Sequence, residues 1–192
     1  MTEQNKCEAA GKRIPASNML LFGAAGRNLG KTELAERMIE AYAKAGPVAA
    51  VKVVTVHNHG DICPRGGKGC GICKGLKSCF DIHEEHGTGN KDTMRFAKAG
   101  ARPVYLVRAY PEGLAEAMKA VLDQIVRTEP EAMVICESNS VANVVKPRAF
   151  LMIGDEGGAW KPSAVKAVSF ADEILESRES EFCRILEKYG PK

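Results

Sequence analysis

The stretch 18–32, NMLLFGAAGRNLGKT, restricts this chain more than any other part of it. The apolar run 18–25 reads as a short buried strand that ends in small residues. After a glycine-bearing turn comes KTELAERMIEAYAKAGP (31–47), where Leu34, Met38, Ile39 and Tyr42 recur at helical spacing and Gly46-Pro47 supplies the stop. The same alternation continues downstream. VAAVKVVTV (48–56), VYLV (104–107), AMVIC (132–136) and RAFLMIG (148–154) read as buried strands. KDTMRFAKAGA (91–101), with an Asp or Asn cap, and PEGLAEAMKAVLDQIV (111–126), with Pro111 at its start, read as helices. The latter sets Leu114, Met118, Val121, Leu122 and Ile125 on one face. From Ser163 onward the tail reads as helical, in two pieces. Short apolar strands alternating with amphipathic helices predict an α/β fold: a mostly parallel sheet with helices on both faces, in three layers.

With 192 residues the chain makes one domain and buries a sizeable core. The net charge of +3 is spread along the sequence, with no basic stripe interleaved with aromatics, so nucleic acid is not an expected partner. No apolar run approaches the ~18 residues needed to cross a bilayer, so no membrane partner is expected either. The polar N-terminus lacks the apolar centre of a signal peptide, which points to a cytoplasmic protein with reduced thiols.

Between the first strand and first helix lies Ala25-Gly26-Arg27-Asn28-Leu29-Gly30-Lys31-Thr32, the phosphate-binding loop pattern with Ala25 in place of its leading glycine. In such a loop, backbone N–H groups and the helix start point at phosphate oxygens. Lys31 adds a point charge against the β/γ-phosphates, and the Thr32 hydroxyl suits magnesium. Ala25 adds a methyl where the turn is tight. A carboxylate is needed at the end of a neighbouring strand, and Glu137 follows the run 132–136. Asp92 is a second candidate, either for the site or as a helix cap. Lys52, in the second strand, reads either as a substrate-facing lysine or as one whose stem packs while its ammonium reaches water.

Seven cysteines is an odd number, and four fall within 17 residues as Cys63-x6-Cys70-x2-Cys73-x5-Cys79, inside a loop at about 60–90. The Cys-x2-Cys core brings two thiolates onto one ion, and the interspersed glycines let the backbone wrap. Four soft ligands suit zinc or an iron–sulfur cluster, without deciding between them. His57, His59, His83 and His86 are substitutes for any one cysteine. The loop follows the second strand, so a metal held there is expected on the same rim as the nucleotide. Cys136, inside a strand, is expected in the core.

These pieces together resemble the molybdopterin-guanine-dinucleotide biosynthesis protein B family, in the SIMIBI branch of P-loop NTPases. The likeness rests on GRNLGKTEL; on Lys52 followed by His57 and His59; on Lys91-Asp92-Thr93 with Lys98-Ala99-Gly100-Ala101; and on VICE ending at Glu137. It spans about residues 18–155. It implies a P-loop NTPase sandwich binding GTP or ATP with magnesium, with Gly26, Arg27, Asn28, Leu29, Gly30, Lys31, Thr32, Glu33 and Lys52 at the nucleotide. Lys31, Glu137 and Asp92 would act in slow hydrolysis, with Thr32 and Glu137 on magnesium. It further implies a homodimer that assists molybdenum or tungsten cofactor biosynthesis with a protein partner. Ser138-Asn139-Ser140, the cysteine loop and the segment Trp160–Ala164 depart from the family pattern; that last segment reads either as a cover for the nucleotide base or as a polar turn. Dethiobiotin synthetase has a similar layout, with a second-strand lysine on its substrate, so an ATP-dependent small-molecule ligase is the alternative. A nucleotide-gated adaptor with a structural zinc loop is a third reading.

Overall fold

The computed structural model describes residues 12–56, 76–154, 157–176 and 179–192. Its chain begins with β1 (Ile14–Ala24), whose residues from Met19 to Phe22 are fully buried. A run apolar on both faces belongs in the middle of a sheet, and β1 lies there, parallel to β5 (Met133–Glu137) on one side and to β6 (Val145–Ile153) on the other. β2 (Val48–Thr55) pairs on the far side of β5 and with β4 (Val104–Ala109). The seven strands run in the order β3-β4-β2-β5-β1-β6-β7. All pairings are parallel except the edge strand β3 (Phe80–Glu84), which runs antiparallel to β4.

Helices cover both faces. α1 (Lys31–Ala43) buries Leu34, Ala35, Met38 and Ile39, and it shares a core with Phe96 of α2 (Asp92–Lys98) and with Phe182 and Ile185 of α5 (Glu179–Tyr189). On the opposite face, α3 (Leu114–Thr128) lays down Leu114, Ala117, Met118, Val121 and Ile125 beside Ala164 and Ala167 of α4 (Pro162–Ala167). This is the expected α/β architecture with a mostly parallel sheet. No helix among the described residues is long and apolar enough to cross a membrane.

Three strands differ from expectation. β3 falls inside the stretch at about 60–90 read as a loop, yet Phe80 and Ile82 pack on the core while Asp81 and His83 alternate with them. Asp81 forms an ion pair with Arg108 of β4, across the strands. β7 (Glu173–Leu175) interrupts the tail that was expected to be helical throughout and pairs parallel to the end of β6. Three residues carry no readable period. β1 also starts earlier than residue 18, because Ile14–Ala16 continue the ladder to β6 across an irregularity at the polar residues Ser17 and Asn18.

Candidate functional site

The carboxyl ends of β1, β2 and β5 open into one cavity of about 760 Å³, lined by the loop 27–32, by Lys52 to Thr55, by Asp92 and Arg95, by Glu137 to Ser140 and by Lys161 and Ser163. In an open parallel sheet this is where the strand order reverses and ligands bind.

The loop that enters the cavity has two left-handed residues, Asn28 at φ 57° and Gly30 at φ 84°. Asparagine and glycine are the residues that tolerate this conformation, and Gly30 hands the chain directly into α1. Ala25 does not disturb the turn. Its φ is not positive, its side chain is fully buried, and its N–H donates to Ile153 O at 2.7 Å as a continuation of the ladder. The first position therefore acts as the last rung of the sheet, which any small residue can fill.

Asn139 holds that rung in place. β5 stops pairing after Glu137, and Ser138 N–H makes the last contact, to Phe22 O at 3.0 Å. The carboxamide of Asn139 then replaces the missing peptide group. Its Oδ1 accepts from Ala24 N–H at 2.9 Å and its Nδ2 donates to Ala24 O at 3.0 Å. Asn139 is 6% exposed. The Ser138–Ser140 departure from the family pattern thus includes an internal brace of the loop. Sequence reasoning missed it, because nothing in the local pattern says that β5 ends two residues short of β1.

Thr32, Asp92, Glu137 and Lys52 converge. Thr32 Oγ1 donates to Glu137 Oε2 at 3.0 Å and lies 3.4 Å from Asp92 Oδ1. The Lys52 ammonium bridges both carboxylates, at 2.5 Å from Glu137 Oε1 and 2.7 Å from Asp92 Oδ2. Lys52 and Glu137 face each other because they are register partners across β2 and β5. The Lys52 side chain is 17% exposed, so it is no solvent-reaching lysine. Asp92 is not the helix cap: Lys91 occupies that position without a side-chain cap bond, and Asp92 turns into the site from the first turn of α2. Burial opposes its charge, but Lys52, Thr32 and Arg95 outweigh that and hold its carboxyl below the usual range. Lys31 is pushed down from its ordinary value by burial first and by Lys52, against the pull of Glu137 and Asp92.

A hydroxyl and two carboxylates around one point form an all-oxygen donor set. Magnesium takes one or two carboxylates with phosphate and water oxygens, so the residues present fit it. The bridging ammonium shows that this point accepts a cation. Glu33 lines the cavity mouth but gives its carboxylate to Arg37 at 2.8 Å, and Arg95 turns to Glu36.

The described residues that flank the cysteine segment lie on the same rim. Val56 N–H donates to Ala109 O at 2.8 Å and Tyr110 N–H donates to Cys79 O at 2.9 Å, so Val56 and Cys79 both lie at the end of β4. Cys63, Cys70 and Cys73, with His57 and His59, lie outside the described residues. Cys79 is described and is disulfide-bonded. His83 and His86 are exposed, and His83 lies 3.4 Å from Asp81. Among the described residues no three His, Cys, Asp or Glu side chains form a metal-ligating group. Cys136 is in the core as expected, its thiol pushed well up by burial.

Comparison with known protein families, with characterised proteins and with solved structures gives no significant match.

Proposed function

We propose that the chain is a P-loop nucleotide-binding protein that holds GTP or ATP with magnesium and hydrolyses it slowly. The observation that carries this reading is the convergence of Thr32, Glu137 and Asp92 at the foot of a glycine-turned loop whose Lys31 faces the same cavity. Five cations and three carboxylates line the cavity, a surplus that favours a polyanion. Within P-loop proteins, the reading is that of an accessory NTPase for molybdenum, tungsten or a related metallocofactor, working as a homodimer with a protein partner and carrying a metal at Cys63, Cys70, Cys73 and Cys79.

Equilibrium binding of ATP and GTP with magnesium tests the first part, beside Lys31→Ala. Affinity in the micromolar range, reduced at least about tenfold in the variant, is the expected result. Millimolar or weaker binding of both nucleotides overturns it. The cysteine metal site requires the Cys79 disulfide to be reduced, so metal and sulfide are measured on protein prepared without oxygen and with reductant, beside Cys63→Ser. Iron and sulfide near about four per chain indicate a cluster and one zinc a closed four-thiolate site. No stoichiometric metal ends that part of the reading. Sedimentation with and without nucleotide tests the dimer.

The burial of Lys52 inside the cavity favours a second reading, an ATP-dependent ligase whose acceptor meets Lys52. Turnover in the absence of any acceptor argues for the NTPase; turnover only on addition of a small carboxylic acid or amine argues for the ligase.

A further inference from the structure

Lys161 sits in the turn between β6 and α4, in the segment that departs from the family pattern. Its main chain and side chain do separate things. The backbone N–H donates to Ala25 O at 3.0 Å, which docks the turn on the start of the phosphate loop. The side chain reaches past it, and Nζ donates to Gly26 O at 3.3 Å, a long bond to a neutral acceptor that occupies one of the ammonium's three donors. The head group lines the cavity. No ion pair ties Lys161 or Lys31 to a carboxylate among the described residues, whereas Lys52 takes both Asp92 and Glu137. Burial first and then Lys31 outweigh the opposing pull of Glu137 and, with smaller contributions from Lys52 and Arg27, bring the Lys161 ammonium down to about 8. A cation held half-buried among three others gains most when an anion joins them.

The neighbours also say which anion. The groups that act on Lys161 across the cavity are Lys31, Glu137 and Lys52, which stand around the cation point where magnesium and the last phosphoryl group of a triphosphate meet. We propose that Lys161 is a second phosphate-binding lysine, supplied by the chain itself, that contacts the terminal phosphoryl group of a bound triphosphate and neutralises the charge that builds there during transfer. This rests on the P-loop reading above and replaces base covering as the role of the 160–164 segment.

The test uses Lys161→Gln and Lys161→Arg, both of which keep the backbone contact to Ala25 and should melt within about 2 °C of wild type. Binding is measured for the nucleoside diphosphate, for a non-hydrolysable triphosphate analogue and for inorganic tripolyphosphate, all with magnesium. Lys161→Gln is expected to weaken the triphosphate and tripolyphosphate at least about tenfold, to change the diphosphate less than about twofold, and to lower kcat more than KM. Lys161→Arg restores triphosphate affinity. Equal weakening of diphosphate and triphosphate, or no change in either, overturns the assignment while leaving the P-loop reading intact. Failure of wild type to bind any nucleotide overturns the P-loop reading; tripolyphosphate binding lost in Lys161→Gln then still supports Lys161 as a phosphate ligand, and its retention refutes it.

Discussion

Replacing Asn139 by alanine isolates one physical claim, that a side-chain carboxamide completes the sheet where a strand ends. The substitution removes an acceptor at 2.9 Å and a donor at 3.0 Å from the N–H and C=O of Ala24. Ala24 is fully buried and Asn139 nearly so, so neither orphaned group reaches water without local opening. An unsatisfied buried backbone group costs about 1–3 kcal/mol, so the two together cost about 2–5 kcal/mol, partial relaxation pulling toward the lower end. Against a total stability of about 5–15 kcal/mol this is a large effect, readable as a shift in the urea midpoint at unchanged slope. Asn139→Asp sharpens the test. It keeps an oxygen for Ala24 N–H but sets another against Ala24 O, and it adds a charge beside buried Glu137. It should be at least as destabilised at pH 7 and recover part of the loss near pH 5, where a protonated carboxyl can donate. A loss below about 1 kcal/mol for Asn139→Ala, or an aspartate variant as stable as wild type at pH 7, would refute the reasoning.

Other outcomes follow from the same neighbourhood. A Cβ on Gly23 would lie 2.8 Å from the Phe150 ring and 2.9 Å from Asn139 Oδ1, so Gly23→Ala should cost about 1–3 kcal/mol and loosen nucleotide binding with it; urea titration of an unaffected variant would show that the brace can move. Lys52→Met removes the ammonium that occupies the cation point, and the apo protein should then gain about tenfold or more in magnesium affinity and melt higher with added magnesium. Magnesium-independent melting of that variant would count against the cation point. Triphosphate affinity should fall as pH rises above about 8, since Lys161 loses its proton there and phosphate binds the charged form; calorimetry in Lys161→Arg should show a shallower fall, the residual slope reflecting Lys31, whose value burial also lowers. An identical slope in both proteins would contradict this.

The strands and helices that read most clearly from sequence were those whose apolar residues face something continuous. β1, β2, β5 and β6 are buried on both faces, and α1 and α3 keep a single stripe, so composition and period agree. β3 has its period of two in Phe80-Asp81-Ile82-His83, but four residues at a sheet edge, beside a glycine- and cysteine-rich stretch, are too short a run to fix a strand. At the site, Lys31, Thr32 and Glu137 were legible because a strand end or helix start fixes where such residues point. Asp92 and Lys52 were readable only as pairs of alternatives, since the choice depends on which strand lies beside which, and that order is a property of the sheet rather than of any segment. The contacts of Asn139 and Lys161 were invisible for the same reason: each reaches backbone more than a hundred positions away.

The two anchors at the end of β4 have a consequence for how this molecule can be taken apart. Val56 and Cys79 flank β4 on its two sides, so their separation is set by two strand spacings, about 10 Å, whatever the length of chain between them. The cysteine segment is in that sense a cassette with fixed terminals: exchanging it for a short glycine-serine bridge demands no change of register in β2, β3 or β4. The proposed nucleotide site and the cysteine segment are thereby open to separation at the level of the gene, and a bridge-bearing chain with unchanged nucleotide affinity would show that the two are independent.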